Sequence, residues 1–372
     1  MSAHVTRLEM SGLVLPDRPY ELRRDRVGGR AFHDADYDAR YDWKTLFYDC
    51  FVDPDMQCVT LIGPPLLNFA PLLEEADFTV DGTAVEITKI EDLSRCTLVR
   101  LSAVSGTLLT VSHRLFGANF SIGKSFVEEL AGMNAVYTIS RNNRLEWITD
   151  WLQYYVREHG LEAVVLSDNG STDYTPQDLS EAIASVPQLK RAFILHARYP
   201  FGPTAENNAA YKSLFLQRSL AEMIRIRFLA KARAVLNADI DEFFDAPDGL
   251  SVFDAAVASE QGYLRADATW VYIPEMRKDH PRHADHTHVS VNGRPKANRK
   301  WCIVPTGPMR GKQWLTHFID SRKDPVDPRF CMWHFRQIST SWKTDRAANS
   351  VELVPDRRLI ETMRRSFNAV SD

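Results

Sequence analysis

From residue 134 to 245 the sequence alternates between short apolar runs and amphipathic stretches, and this alternation leaves few architectures open. "NAVYTIS" (134–140) reads as a buried strand. "RLEWITDWLQYYVREHG" (144–160) sets Leu145, Ile148, Trp151, Leu152, Tyr155 and Val156 at helical spacing, with Gly160 placed to cap the helix. "LEAVVLSDNGSTD" (161–173) is a strand ending in a polar turn, "SEAIASV" a helix and "RAFILHA" (191–197) a strand. "AENNAAYKSLFLQRSLAEMIRIRF" reads as a long helix, and "AVLNADIDEF" closes the series as a strand. Strands separated by helices predict a mostly parallel sheet. Ligands of such sheets sit at the C-terminal strand ends, where the strand order switches. Three polar turns fall at those ends: Ser140–Asn143, Ser167–Asp173 and Asp239–Glu242.

The last of these turns is the most acidic. "AVLNADIDEFFDAP" (234–247) puts Asp239, Asp241, Glu242 and Asp245 at the end of an apolar run. Carboxylates this close repel one another, and burying them unpaired is costly. A polar strand end running into solvent, or a helix N-terminus that welcomes acids, is one account. A divalent cation, or a cationic partner, is the other. In an extended segment residues two apart project to the same side, so Asp239 and Asp241 can converge on one hard cation. Mg²⁺ and Mn²⁺ are commonly held by one or two carboxylates together with substrate phosphates.

Upstream the text changes. Residues 1–45 show no steady period, and Arg23, Arg24, Arg26 and Arg30 read as a solvated face that also suits an anionic lipid or acceptor. Between 46 and 120 come short pieces rich in β-branched and aromatic residues, divided by Gly, Pro and Asp. "TVDGTAV" carries an Asp-Gly hairpin signal. A small antiparallel β-domain over 1–130 followed by an α/β domain over 131–372 is the expected division, with proteolysis expected near 121–133 where the junction is exposed.

Bulk properties exclude several classes. A net charge of −4 over 372 residues argues against a general nucleic-acid binder. No apolar run of about 18 residues is present, so no spanning helix is expected. The first residues lack a signal peptide's apolar stretch. Five cysteines without a C-x-x-C pair fit neither a disulfide framework nor a zinc site. Reduced thiols in a cytoplasmic protein are the expectation, with peripheral contact at the inner face of the membrane as a further one.

At this level of detail the chain resembles GT-A-fold glycosyltransferases of the broad family 2 group and its family 92-like relatives. "NADIDEFF" looks like their D-x-D-E-F signature, and "VVLSDNGSTD" is similar to their second-strand turn. "YTISRNNRLEWITDWLQYYVREHG" resembles their opening strand and helix, with Arg141-Asn142-Asn143 where Lys-Asn-Glu is usual. "RKWCIVPTGPMRGKQWLTHF" resembles a Lys…Pro…His segment (Lys300, Pro305, His317). "WHFRQISTSWKTDR" resembles a late His-aromatic element followed by Ser and Lys/Arg (His334, Phe335, Ser339, Lys343, Arg346). The likeness covers about 132–350; residues 1–130 match nothing nameable.

The resemblance implies a GT-A (Rossmann-like) mixed sheet and a metal-dependent, inverting transfer of a sugar from a nucleotide-diphosphate donor, a UDP-sugar being the expected one. The acceptor would be a glycan or a lipid-linked precursor. Thr138, Arg141, Asp168, Asp173, Asp239, Arg336 and Arg346 would bind the nucleotide sugar. Asp239, Asp241 and His334 would hold Mn²⁺ or Mg²⁺, His334 being taken ahead of His317, and either histidine also reads as a packed core residue. Among Asp267, Glu275 and Asp279, Glu275 is the chosen general base, because it follows an apolar stretch. His280, His283, His286 and His288 lie in a Pro- and Asp-rich stretch and read as a mobile acceptor-side loop rather than a zinc site. Trp270, Trp301, Trp314, Trp333 and Trp342 are expected mostly in the core, with one or two stacking on a sugar ring. A Mg²⁺-dependent nucleotidyltransferase is a rival, but no G-x-x-x-x-G-K loop is present. A non-catalytic carbohydrate-binding protein is another, against which the intact acidic cluster argues.

Overall fold

The computed structural model describes residues 2–18, 21–28, 35–203, 213–245, 249–275, 278–291, 296–320, 326–338 and 351–367. The chain opens with β1 (His4–Glu9), β2 (Leu13–Val14), α1 (Ala35–Arg40), β3 (Thr45–Phe47), β4 (Asp49–Asp53) and β5 (Cys58–Gly63). It continues with α2 (Ala70–Glu74), β6 (Asp77–Val80), β7 (Thr83–Val85), β8 (Ile87–Leu93), β9 (Cys96–Leu101), β10 (Leu108–His113) and β11 (Phe116–Ser121). Next come β12 (Asn134–Ser140), α3 (Leu145–His159), β13 (Ala163–Asp168), α4 (Pro176–Ala184), β14 (Arg191–His196) and α5 (Phe215–Arg227). Then follow β15 (Ala234–Asn237), β16 (Glu242–Asp245), α6 (Val252–Ala258), β17 (Tyr263–Val271) and β18 (His288–Ser290). The last elements are β19 (Lys296–Ile303), β20 (Cys331–Phe335), β21 (Leu353–Pro355) and α7 (Arg357–Phe367).

Two compact units emerge. One comprises Met1–Leu8, Leu130–Leu195 and Leu229–Asp372; the other comprises Glu9–Glu129 and His196–Phe228.

The first unit is built on a nine-stranded mixed sheet in the order β1-β14-β13-β12-β15-β19-β17-β20-β16. β12 runs parallel to β13 and to β15, so the C-terminal ends of these three strands share one edge of the sheet. β19 lies antiparallel to β15 and to β17, β17 is parallel to β20, and β16 closes the sheet antiparallel to β20. β15 and β16 are consecutive in sequence, yet β19, β17 and β20 stand between them. The chain therefore crosses this end of the sheet through residues 238–241. α3 buries Trp151, Leu152 and Tyr155 in one core with Val136, Leu166 and Leu236. It ends where its sequence says it should: Gly160 is left-handed (φ 67°), and its amide bonds the Val156 carbonyl at 3.1 Å. α4 starts earlier than its apolar spacing predicts, because Thr175 and Asp178 form a capping box around Pro176.

The second unit holds two antiparallel four-stranded sheets, β4-β5-β9-β8 and β11-β10-β6-β7. Its core includes Phe47, Leu61, Phe69, Phe78, Val99 and Val111. The Asp-Gly hairpin is present: Val80 pairs with Thr83, and Asp81 (φ 48°) and Gly82 (φ 82°) supply the two left-handed residues of its turn. None of the strands within 46–120 belongs to the nine-stranded sheet.

The units do not follow a single cut at residue 130. β1 joins the large sheet, with Arg191 donating to the His4 carbonyl at 2.9 Å. α5 joins the small sheets, packing on β4, β5 and β9. The cause is a set of bonds that sequence spacing does not report. Arg227 pairs with the buried Asp49 at 2.6 Å and donates to the Lys124 carbonyl, and Ser219 donates to the Gly63 carbonyl at 3.1 Å. Within 121–133, Phe126, Val127 and Leu130 are buried, whereas Lys124, Glu128, Glu129 and Ala131 are exposed. Arg24 is no part of a solvated face: it is buried, its guanidinium bonding the carbonyls of Asp42, Thr45 and Pro65 and lying over the Phe69 ring. Arg30 lies outside the described residues.

Candidate active site

The acidic turn after β15 is held by its own backbone. The Glu242 amide donates to the Asp239 carbonyl at 3.1 Å, and the Asp239 amide returns a bond to Glu242 Oε2 at 2.8 Å. The Asp241 carbonyl receives the Phe335 amide at 2.8 Å, and the Ile240 carbonyl is bonded by His283 Nε2 at 2.9 Å. Register then does the rest. Glu242 stands directly opposite His334 on β20, and His334 is level with Trp270 on β17. His334 Nε2 thereby comes within 3.0 Å of Asp241 Oδ2, although 93 positions separate the two residues. Its Nδ1 lies 4.0 Å from Glu242 Oε1, and the Trp270 ring stacks on the imidazole at 3.8 Å.

Asp241, Glu242 and His334 each offer a ligand atom, all within 4.8 Å of one another. Two carboxylates and an imidazole form a donor set suited to Mn²⁺. Asp239 is turned elsewhere. Its Oδ2 meets Lys300 Nζ at 2.8 Å, and the same ammonium reaches Glu242 Oε2 at 3.2 Å. Lys300 and Glu242 are each 1% exposed, whereas the Asp239 side chain is 45% exposed.

Burial, reinforced by Asp239 and Asp241, pushes the Glu242 carboxyl up to about 7 against the opposing pull of Lys300 and His334. Burial favours the neutral amine of Lys300, but Asp239 and Glu242 outweigh it and its pKa rises. Two carboxylates thus favour the charged form of Lys300, one of them largely buried and one half-exposed.

At the neighbouring strand ends, Ser140 of β12 is level with Asp168 of β13. Asp168 is buried and accepts the amide and the hydroxyl of Ser171. Asn142 locks the two turns together. Held at φ 55°, it accepts the Thr172 amide on Oδ1 at 2.7 Å, and its own amide donates to Ser171 Oγ at 2.9 Å. Thr138 is buried on β12, and its hydroxyl has no hydrogen-bond partner among the described residues. Arg141 and Asp173 are exposed on the turns.

Glu275 is exposed beyond β17, its carbonyl accepting from Gln337 at 3.3 Å. Arg336 is half-buried with its guanidinium 5.3 Å from the Trp270 ring centre. His317 bonds the Arg299 carbonyl at 3.0 Å. Arg346, with Ser339, Lys343 and Trp342, lies outside the described residues. The histidine-rich stretch is not a mobile loop: His283 and His286 are fully buried and bonded to backbone carbonyls, with Phe335 edge-on to both rings. Trp301, Trp314 and Trp333 are core residues.

Sequence spacing alone gave no role to Glu242 or Lys300. The signal for Glu242 was present, since it directly follows the D-x-D pair; Lys300 requires the pairing of β19 beside β15 to be known.

No family model and no curated protein matches this chain. Among solved structures it overlaps the mannosyltransferase Ktr4p from S. cerevisiae in complex with GDP at 13% identity and a TM-score of 0.26, over 37% of this chain and 40% of that one. It overlaps S. aureus TarS 1–349 at 17% identity and a TM-score of 0.25, over 43% and 41%. The bifunctional glycosyltransferase WbbM in its apo form overlaps at 13% identity and a TM-score of 0.23, over 41% and 25%. The chain thus spans well under half the length of these proteins, and an overlap of this extent assigns neither fold family nor activity. Among the described residues, no helix is long and apolar enough to cross a membrane.

Proposed function

We propose that this chain is a glycosyltransferase of GT-A type that moves a sugar from a nucleoside-diphosphate donor to a glycan or lipid-linked acceptor. The observation that carries the reading is the convergence of Asp241, Glu242 and His334 on the D-x-D turn, with a 3.0 Å approach between Asp241 and His334. The donor set fits a divalent cation in chemistry, offering carboxylate oxygen and imidazole nitrogen from side chains that are mostly buried. Asp241, Glu242 and His334 would hold Mn²⁺ or Mg²⁺, which when bound offsets charge on a leaving diphosphate. Asp239, already paired with Lys300, serves as the outer wall of this site and faces the donor ribose.

Asp168, at the edge shared by β12, β13 and β15, accepts hydrogen bonds from the donor's base or ribose. Thr138, Arg141 and Asp173 line the same pocket, and Arg336 and Arg346 meet phosphate through charge-assisted bonds. In an inverting transfer the acceptor oxygen bonds the sugar's anomeric carbon as the bond to diphosphate breaks. The acceptor proton passes to a carboxylate, for which Glu275 is the proposed base. A UDP-sugar is the proposed donor.

The test is a panel of nucleotide sugars incubated with the protein in Mn²⁺, in Mg²⁺ and in excess EDTA. Turnover of one donor that EDTA abolishes and Mn²⁺ restores is the expected result. Asp241→Asn should melt like the parent and lose most of that turnover. Full activity in EDTA, or in the Asn variant, would sink the reading.

A further inference from the structure

Among the described residues β16 is an edge strand, and its outward backbone groups meet no neighbouring strand there. α3 meets them with side chains instead. The Tyr155 hydroxyl donates to the Glu242 carbonyl at 2.9 Å and accepts the Phe244 amide at 3.1 Å. Tyr154 and His159 both donate to the Phe244 carbonyl, at 2.8 Å and 2.7 Å. All three side chains are buried, so these bonds are made where water does not compete. Tyr155 acts as one rung of a missing strand.

We infer that Tyr155 is a positioning residue for the cation site, fixing the backbone from which Glu242 reaches Asp241 and His334. The inference rests on the divalent-cation reading above. Three features single out Tyr155. It is the α3 side chain bonded to Glu242 itself, whereas Tyr154 and His159 share one acceptor two residues further on. Its two bonds bracket the strand from Glu242 to Phe244, whose opposite edge is paired with β20. The Glu242 carboxylate has little slack of its own, since Oε2 is held by the Asp239 amide and Lys300 while Oε1 faces His334. A shift of the Glu242 backbone therefore carries its free oxygen out of the group of three. Tyr155→Phe deletes both bonds and keeps the ring packing.

The experiment compares Mn²⁺ binding to the full chain, read by electron paramagnetic resonance of the free ion, for the parent, Tyr155→Phe and Tyr154→Phe. Thermal melts in EDTA are run alongside. Outer-shell partners of metal ligands change affinity by about 10- to 100-fold. Tyr155→Phe is expected to weaken Mn²⁺ about tenfold, while Tyr154→Phe binds like the parent even where its melting temperature falls as far. Equal affinity in the parent and Tyr155→Phe overturns the inference and leaves the cation reading intact. A parent that binds no Mn²⁺ overturns both. Should Tyr155→Phe not fold, hydrogen exchange of the parent decides. Coupling is reciprocal, so Mn²⁺ must slow exchange of the Phe244 amide by about the same factor, and unchanged exchange overturns the inference.

Discussion

Lys300 is 1% exposed, and a buried ammonium survives only where its charge is met. It is met twice, by Asp239 and Glu242, and it lets three carboxylates and an imidazole share one corner of a sheet. Lys300→Met should therefore cost on the order of 3 kcal/mol of unfolding free energy in chelator, because it strands Glu242 beside Asp239 and Asp241. Saturating Mn²⁺ should restore more stability to this variant than it adds to the parent, since the ion replaces the missing positive charge. Urea titrations with and without Mn²⁺ measure both, and equal gains would make Lys300 a structural counter-ion with no link to the site. At this scale the sequence was partly readable. The acidic turn announces itself by composition, and the family-like order of motifs singled out His334. Which carboxylate faces His334 is decided by the β16–β20 register, and one residue of slip would present Phe243 instead of Glu242.

Elements were more legible where a local signal sets them. α3 carries both its apolar stripe and its glycine stop, and the Asp-Gly hairpin needs no partner to explain it. α5 shows the opposite case. Its sequence reports a helix, which forms at Phe215–Arg227, but not the sheet it covers. Apolar surface is non-directional, so the choice falls to specific bonds, above all Arg227 with Asp49. A fragment ending at residue 130 lacks α5, leaving Asp49 a buried carboxylate without its cation and baring one face of β4, β5 and β9. Losing one member of a buried pair costs about 3–5 kcal/mol, comparable to the whole stability of a small domain. The fragment is expected to be unfolded by circular dichroism and by amide dispersion in NMR. A well-dispersed spectrum would show that the small sheets are self-sufficient.

Over the whole molecule, acid response depends on groups that the fold buries without a charge. His159, bonded to the Phe244 carbonyl and the Val252 amide, is pushed down by burial to about 4. His286, enclosed beside His283 and bonded to the Arg336 carbonyl, is likewise pushed down by burial to about 4. Both folded values lie below the ordinary 6.5, so the unfolded chain takes up protons first as pH falls. Their stabilising contribution is complete above 6.5 and is lost as pH falls through about 4. Each contributes on the order of 3 kcal/mol across that window. Glu242 acts with the reverse sign: raised to about 7, it favours the folded state below 4.5 and loses that contribution as pH rises through 7. Asp49 and Asp245, also raised by burial, blunt the acid slope in the same sense as Glu242. Between 6.5 and 5 unfolding takes up about two protons at the two histidines and releases about one at Glu242, so these three groups together favour weaker folding as the protein in EDTA is acidified. Histidine proton NMR gives the sharper check, because it reads each ring separately. The His159 and His286 resonances should stay flat from pH 7 to 5, and an inflection near 6.5 in either would mean that its ring is open to water and that the acid response comes from elsewhere.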